Sequence, residues 1–291
     1  MATVSNSAYV AYASFSGYNA FGQPGLIGFQ NGVKTTLTYD PYTNRLSEMS
    51  TSTPGNGTVQ DFVYSYDNDG NILTITDNVD PTRDQTFTYD RLSRLASATG
   101  AYGKITYSTD EVGNVANPPD TSDSAYRDDR ALVYDYENRI LSVGSTSFSY
   151  DYQGARVKKT NGIDITTYVS KLYEINTTGG VTKHIFAGGR RIASINGSTI
   201  SYYHPDHLGS LNIATNASGA KVQEVTYYPY GEVLTNQHSG IDLPYKFTGH
   251  EFDIETRLYY CGARYYDPAQ GRFLTPDTIV QSPGDPQTLT R

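Results

Sequence analysis

The dipeptide Tyr-Asp recurs at Tyr39-Asp40, Tyr66-Asp67, Tyr89-Asp90, Tyr134-Asp135, Tyr150-Asp151 and Tyr266-Asp267, in surroundings that hardly change. Aligned on the tyrosine, the chain reads "YNAFGQPGLI" from Tyr18, "YDPYTNRLSEM" from Tyr39, "YDNDGNILTI" from Tyr66 and "YDRLSRLASA" from Tyr89. "TDEVGNVANP" from Thr109, "YDYENRILSV" from Tyr134 and "YDYQGARVKK" from Tyr150 continue the series, at steps of 16 to 27 residues. Each copy is a β-rich segment, Tyr-Asp, a short polar turn, and a segment opening on Arg or Asn plus an aliphatic residue. Such a repeat constrains the fold more than any other feature, because one unit cannot bury its own apolar face and must stack on its neighbours.

Each part of the unit has a physical reason. The approach segments "TTLTYD", "FVYSYD", "TFTYD" and "TSFSYD" alternate, which sends Thr or Ser and aromatic side chains to opposite faces of a strand. Asp at the turn entry can accept a backbone N–H two residues on. Gly70, Gly113, Gly154, Asn44 and Asn138 stand where the turn asks for a positive φ. Each unit is therefore expected to be a β-hairpin. A lone hairpin is marginal in water, so the hairpins must pair with one another. Tyrosines at equal positions would form a file, each aromatic pair contributing roughly 0.2–1 kcal/mol. No segment has useful helical periodicity, and the expected class is all-β, built of consecutive antiparallel hairpins.

Composition limits the kind of core and the kind of partner. The chain has 27 Tyr, no Trp and only 37% hydrophobic residues among 291. Burial must come largely from rings of roughly 150–250 Å² each that keep a polar tip, which favours thin, half-wet layers over one dry centre. A net charge of −8 without a basic run argues against nucleic acid as a partner. The single Cys261 excludes an internal disulfide framework. No apolar stretch approaches the roughly 18 residues of a membrane-spanning helix. The start, "MATVSNSAYV", lacks the basic-then-apolar pattern of a signal peptide, and the chain is read as cut from something longer.

The unit resembles the YD-repeat, or RHS-repeat, family. "DHLGS" within "YYHPDHLGSLNIATNASGAKVQEVTYYPYGEV" and the segment "YKFTGHEFDIETRLYYCGARYYDPAQGRFLTPDT" are similar to the family's core module and its C-terminal signature. The resemblance covers roughly Tyr18 to Thr278. It implies hairpins joined into one continuous curled sheet, part of a shell that encloses a C-terminal toxin or effector polypeptide, with the core module plugging one end. It also implies a secreted or cell-surface bacterial protein and, in many members, an aspartyl autoprotease that frees the cargo. Three departures stand out. Arg257 occupies a place where the family usually has Gly after "DxET". "YYPYG" at Tyr227–Gly231 stands in for Tyr-Asp-Pro-Tyr-Gly. No "DPxG" cleavage motif occurs before Arg291. As it stands the fragment is expected to be non-enzymatic and to need no cofactor.

Candidate residues divide by type. The resemblance implies a catalytic role for Asp277, whose partner carboxylate, needed to share a proton, is missing from the sequence; a turn-capping role is the alternative. The family's core motif maps onto His204, Asp206, His207, Gly209, Gly249, Glu251, Gly262, Arg264, Gly271 and Arg272. "HPDH" holds two His and an Asp, the minimum of a zinc site, but without a helix around it a structural turn is preferred and no metal is assigned. Cys261, in an alternating strand, reads as a small apolar core residue and not a nucleophile. Tyrosine beside carboxylate also suits sugars, so a glycan- or cell-wall-binding β-module is the alternative function; a glycosidase would need two carboxylates at a defined separation.

The expected organisation is a hairpin region over residues 1–165 and a core module over 166–291. "NPPDTSDSAYRDDRA", from Asn117 to Ala131, is expected as a looped excursion between hairpins. An unfinished sheet exposes edge strands that invite pairing. The sheet is therefore expected to close into a small barrel-like form, to be completed by a partner chain, or to self-associate.

Overall fold

A computed structural model describes residues 2–5, 11–55, 57–110, 113–115 and 130–276. The excursion expected at Asn117 lies, up to residue 129, outside the described residues. So do Asp277 and the tail that follows it.

The described chain is all-β, in three antiparallel ladders whose strands follow one another in sequence order. The first holds β1 (Ala2–Ser5), β2 (Ala11–Ser16), β3 (Leu26–Phe29), β4 (Lys34–Tyr39) and β5 (Leu46–Thr53). It continues with β6 (Gly57–Tyr66), β7 (Ile72–Asp77), β8 (Gln85–Tyr89), β9 (Leu95–Gly100) and β10 (Gly103–Thr106). The second begins with β11 (Leu132–Tyr134), β12 (Ile140–Val143), β13 (Thr146–Tyr150), β14 (Arg156–Asn161), β15 (Asp164–Ser170) and β16 (Tyr173–Asn176). It runs on through β17 (Val181–Ala187), β18 (Arg190–Asn196), β19 (Thr199–Pro205), β20 (Leu211–Thr215), β21 (Lys221–Tyr227) and β22 (Val233–His238). The third comprises β23 (Glu251–Asp253), β24 (Leu258–Tyr260), β25 (Tyr265–Asp267) and β26 (Arg272–Phe273). The first and last strands of each ladder pair on one side only, so the closed small barrel does not form. A strictly sequential meander carries no pairing of its last strand back to its first.

The chain separates into two compact units. One gathers Met1–Thr106, His184–Tyr228 and Val233–Leu243; the other gathers Tyr107–Lys183, Pro229–Glu232 and Pro244–Arg291.

In the first unit, alternating residues of β2–β7 (Ala13, Phe15, Ile27, Phe29, Leu37, Met49, Tyr64 and Ile75) pack against Ile192, Ala193 and Tyr202 of β18 and β19. Beside this core the buried face is polar. Thr35 and Thr51 share a hydroxyl bond of 2.8 Å, and Thr51 donates to Gln60 Oε1 at 2.7 Å. Gln60 Nε2 in turn donates to Asn212 Oδ1 at 2.9 Å. Asn31 Nδ2 donates to Thr215 Oγ1 at 2.9 Å. Aliphatic side chains are too few to cover both layers, so amides and hydroxyls fill the remainder and satisfy one another.

The second unit has a smaller apolar cluster of Ile140, Val143, Phe148, Leu258 and Tyr265. Around it lie ring contacts: Phe247 stacks on Tyr266, Tyr107 meets Tyr230 edge-on, and Arg264 sits 3.8 Å over the Phe273 ring. Tyr259 donates its phenol to Gly231 O at 3.0 Å. A side chain on Gly231 would overlap the Phe247 ring, which is why "YPYG" closes on glycine.

Candidate functional site

The repeated turn comes first, because it recurs wherever the chain reverses after a Tyr-Asp pair. At Asp67 the main-chain N–H donates to Asn71 O, and the Gly70 N–H donates back to Asp67 O. The carboxylate Oδ1 accepts the Gly70 and Asn71 N–H groups, both at 2.8 Å, and Oδ2 accepts from Asn71 Nδ2 at 2.8 Å. Asp90 and Asp135 repeat the plan with arginine, whose Nε reaches Oδ2 at 2.7 Å from Arg94 and Arg139. Asp151 caps the Gln153 and Ala155 N–H groups, both at 2.9 Å. Asp40 caps Tyr42 and Thr43 in a turn one residue longer. Asp267 caps Ala269 at 3.0 Å and pairs with Arg130 at 2.5 Å.

The five positions expected to tolerate positive φ adopt it, from 57° at Asn44 to 99° at Gly70. Hydrogen bonding keeps Asp40, Asp67 and Asp90 below the usual carboxylate range. The largest contributions are the Thr43 N–H at Asp40, the Asn71 amide at Asp67 and the Arg94 N–H at Asp90. At Asp135 desolvation opposes the shift, and the Arg139 bonds outweigh it.

The tyrosines of four pairs, Tyr39, Tyr66, Tyr89 and Tyr150, link their hairpin to the preceding one, and Tyr266 bonds the loop at Tyr230. Tyr66 donates its phenol to Leu46 O at 2.6 Å, and Tyr89 donates to Ile72 O at 2.9 Å. Tyr150 donates to Ile140 O at 2.5 Å, and Tyr266 donates to Tyr230 O at 2.8 Å. Tyr39 reaches Pro24 O at 3.1 Å. The register shifts at each of Tyr39, Tyr66, Tyr89, Tyr134 and Tyr150, so the return strand carries one extra residue there. That bulge sharpens the local twist where the phenol must turn toward the neighbouring carbonyl. Tyr134 is the most exposed of the set.

"HPDH" is a further copy of the same turn. Asp206 accepts the Leu208 and Ser210 N–H groups, both at 2.8 Å, and Gly209 takes φ of 87°. His204 is fully buried, packs edge-on to Phe29 with ring centroids 4.5 Å apart, and shares a 2.8 Å bond with Thr215 Oγ1. Burial pushes its imidazole down to about 3, so it is neutral at physiological pH. His207 lies 5.0 Å from the Tyr64 ring, and burial lowers its pKa too. Among the described residues no group of three His, Cys, Asp or Glu is gathered to hold a metal ion.

The remaining core-motif residues shape the third ladder. Gly249, Gly262 and Gly271 take φ of 74°, 84° and 65°, and Arg272 Nε bonds Gln270 at 2.8 Å. Arg257, at the family's usual glycine, adopts φ of 57°. The backbone there is the one glycine reaches without strain. Cys261 is half-buried, and burial pushes its thiol up to about 12, which keeps it protonated.

The residues that the motifs passed over surround Glu251. Arg156, wholly buried, binds Asp253 Oδ2 at 2.5 Å through Nη1 and Glu251 Oε2 at 2.6 Å through Nη2. Its guanidinium lies 4.3 Å from the Tyr260 ring centroid and 4.7 Å from that of Tyr168. Tyr168 donates to Glu251 Oε1 at 2.7 Å. Lys159 Nζ lies 2.8 Å from Asp253 Oδ1 and 3.7 Å from Glu251 Oε1. Burial raises the Glu251 carboxyl above its ordinary value, with Arg156 opposing. Five residues after the turn Asp stand Ile72, Leu95, Ile140 and, in the "HPDH" copy, Leu211, but Arg45, Arg156 and Arg272 hold that place after Asp40, Asp151 and Asp267.

Residues 188–290 match the family described as Teneurin YD-shell. The chain is 26% identical to the tRNA3(Ser)-specific nuclease WapA of Bacillus spizizenii, over 83% of this chain and 10% of that protein. It is 24% identical to toxin subunit YenC1 of Yersinia entomophaga, over 89% and 39% of the two chains. It is 24% identical to teneurin-1 of Mus musculus, over 92% and 10%. Among solved structures, that of TcdB2-TccC3-Cdc42 superposes with a TM-score of 0.79 at 22% identity, over 97% of this chain and 19% of the other. The chain thus spans between a tenth and about two-fifths of these relatives' length.

Proposed function

We propose, on the premise that this chain is an RHS/YD-repeat protein, that it supplies wall and end-plug to a shell enclosing a polypeptide carried by the same protein. The observation carrying this reading is the bond from the Tyr39, Tyr66, Tyr89 and Tyr150 phenols to a carbonyl of the hairpin before, along open ladders. That device adds courses to a wall, and the Asp of each Tyr-Asp pair from Tyr39 to Tyr150 is engaged in capping its turn. Relatives named for unlike activities support it, a tRNA nuclease and a double-stranded DNA deaminase toxin among them. They match through this same stretch, which covers only 10% and 15% of their lengths. What they share is therefore expected to be the container and not the activity.

The hairpin region is assigned to 1–165 and the core module to 166–291, and the protein is placed outside the cell or at its surface. Strand edges at β10 and β22 are completed by further wall of the longer protein, by a partner chain or by a second copy. In the protein extended past Arg291, the C-terminal polypeptide should resist added protease until the shell is denatured. Digestion at the rate of the isolated polypeptide would remove the proposal. Asp277→Asn in that protein should block release of the C-terminal piece, and unchanged release takes Asp277 out of the chemistry.

A second reading, glycan binding, is favoured by Tyr42, Tyr136 and Tyr152, whose rings stand 91%, 91% and 92% exposed at turn tips. Saturable binding to cell-wall polysaccharide that is lost in Tyr136→Ala/Tyr152→Ala would establish it; no binding eliminates it.

A further inference from the structure

We propose that Lys159 and Asp253 form an intramolecular isopeptide bond, with Glu251 relaying the proton. The inference does not depend on the shell reading, because a chain that enclosed nothing would carry the bond equally well.

Three features assemble the reaction. The first is position. Glu251 and Asp253 are two apart on β23 and so present their side chains to one face, while Lys159 comes from β14, 94 residues earlier. Lys159 Nζ already sits 2.8 Å from Asp253 Oδ1, one bond from the carbon it must attack, and 3.7 Å from Glu251 Oε1. Fixing the two reactants in this way turns a slow bimolecular condensation into a unimolecular one.

The second is exclusion of water. Side-chain exposure is 0% at Asp253, 8% at Glu251 and 13% at Lys159. The rings of Phe148, Tyr168, Tyr260 and Tyr265 line the Arg156 side of the site. Exclusion of water also protects the amide, once formed, from hydrolysis.

The third is the charge inventory. Arg156 and Lys159 face Glu251 and Asp253, with Glu255 3.5 Å from Lys159 and Tyr168 and Glu174 beside Glu251. Arg156 holds both carboxylates, so it keeps an ion pair with one when the other gives up its charge. The Lys159 ammonium is held protonated by Asp253 and Glu251, against the effect of burial. Its proton therefore leaves by passing to one of them, and burial prepares Glu251 to take it.

The step balances without any added reagent. The Lys159 ammonium gives one proton to Glu251, and the freed Nζ pair attacks Asp253 Cγ to form the C–N bond. A second nitrogen proton and the one held by Glu251 go to an Oδ oxygen. The Cγ–O bond breaks, that oxygen leaves as water, and one hydrogen stays on the amide nitrogen. Ammonium and carboxylate become a neutral amide plus water, with no change of oxidation state.

The test is the intact mass of the folded full-length chain, followed by digestion and fragment sequencing. The expected result is a mass lower than the sequence mass by one water, with a branched peptide joining Lys159 to Asp253. Lys159→Met should restore the full mass. Glu251→Gln should restore it as well while keeping the hairpins, which circular dichroism checks. A folded wild type that keeps its full mass overturns the proposal, as does a water lost at any other pair of residues. Loss of water in Glu251→Gln removes Glu251 as the relay.

Discussion

The two units solve the same shortage of aliphatic side chains differently. The first closes its layers mainly with neutral polar groups, from the Thr35–Thr51–Gln60–Asn212 chain to Asn31 on Thr215, while its buried Glu224 pairs with Arg83 and Lys221, which stay partly exposed. The second, beside an apolar cluster of five buried residues, uses charge, with Arg156 and Lys159 on Glu251 and Asp253. A neutral network loses little when the solvent changes, whereas a buried ion cluster is indispensable once present, because removing one member strands the others. The difference teaches that the same hairpin grammar sets strand order in both units but does not choose what fills the space behind it.

The largest effect that would break this contrast is at Arg156. Arg156→Met removes the guanidinium that holds Glu251 and Asp253 and should cost about 3–5 kcal/mol. Hydrogen exchange should quicken in β14–β16 and β23–β26 and stay slow in β2–β7; uniform quickening would mean the units do not differ. The neutral counterpart, Gln60→Ala, strands Thr51 and Asn212 and should cost about 1–3 kcal/mol by denaturant unfolding, confined to the first unit.

The pH response should differ in sign between the Asp67 and Asp90 caps and the buried Glu251. Asp67 and Asp90 have folded pKa values below their unfolded ones, so their contribution is present above about pH 4 and is lost as pH falls through the folded values. Glu251 has a folded pKa above its unfolded one, so its contribution to stability declines as pH rises from about 4 through that value. Carboxyl carbon shifts followed by NMR titration would show Asp67 and Asp90 moving late on acidification and Glu251 early; one common midpoint would erase the distinction. The smallest effect is at Arg257, whose φ of 57° suits glycine. Arg257→Gly should raise the stability of the second unit by about 0.5–1 kcal/mol, read as a shift in the denaturation midpoint.

What could be read in the sequence was what is decided locally. The Asp caps and the left-handed positions at Gly70, Asn138 and Gly154 are settled within five residues of chain, and they stand as expected. The sequential pairing of hairpins follows from them. The closed barrel was the wrong alternative, because edge protection is not a local property. "HPDH" looked distinctive by its histidines, yet Asp206 and Gly209 carry the turn and His204 is neutral filling against Phe29. The Arg156 cluster was missed because its partners lie 95 and 97 residues away, where no spacing rule reaches. The arginine itself gave no warning, since Arg45 and Arg272 stand at the same spacing in other copies.

The bulged tyrosine turn also governs where the chain can change length. Along the first ladder the connections after Tyr39, Tyr66 and Tyr89 are five or six residues, while those at the opposite rim run from two, at 101–102, to seven, at 78–84. The Tyr-Asp turns thus keep a near-constant length, although the first connection on their rim, at 17–25, has nine residues. Extra peptide spliced between 78 and 84 should pass without shifting any register, whereas one residue added after Asp67 would have to be taken up as the longer turn seen at Asp40, at the cost of the Asp67–Asn71 bonds.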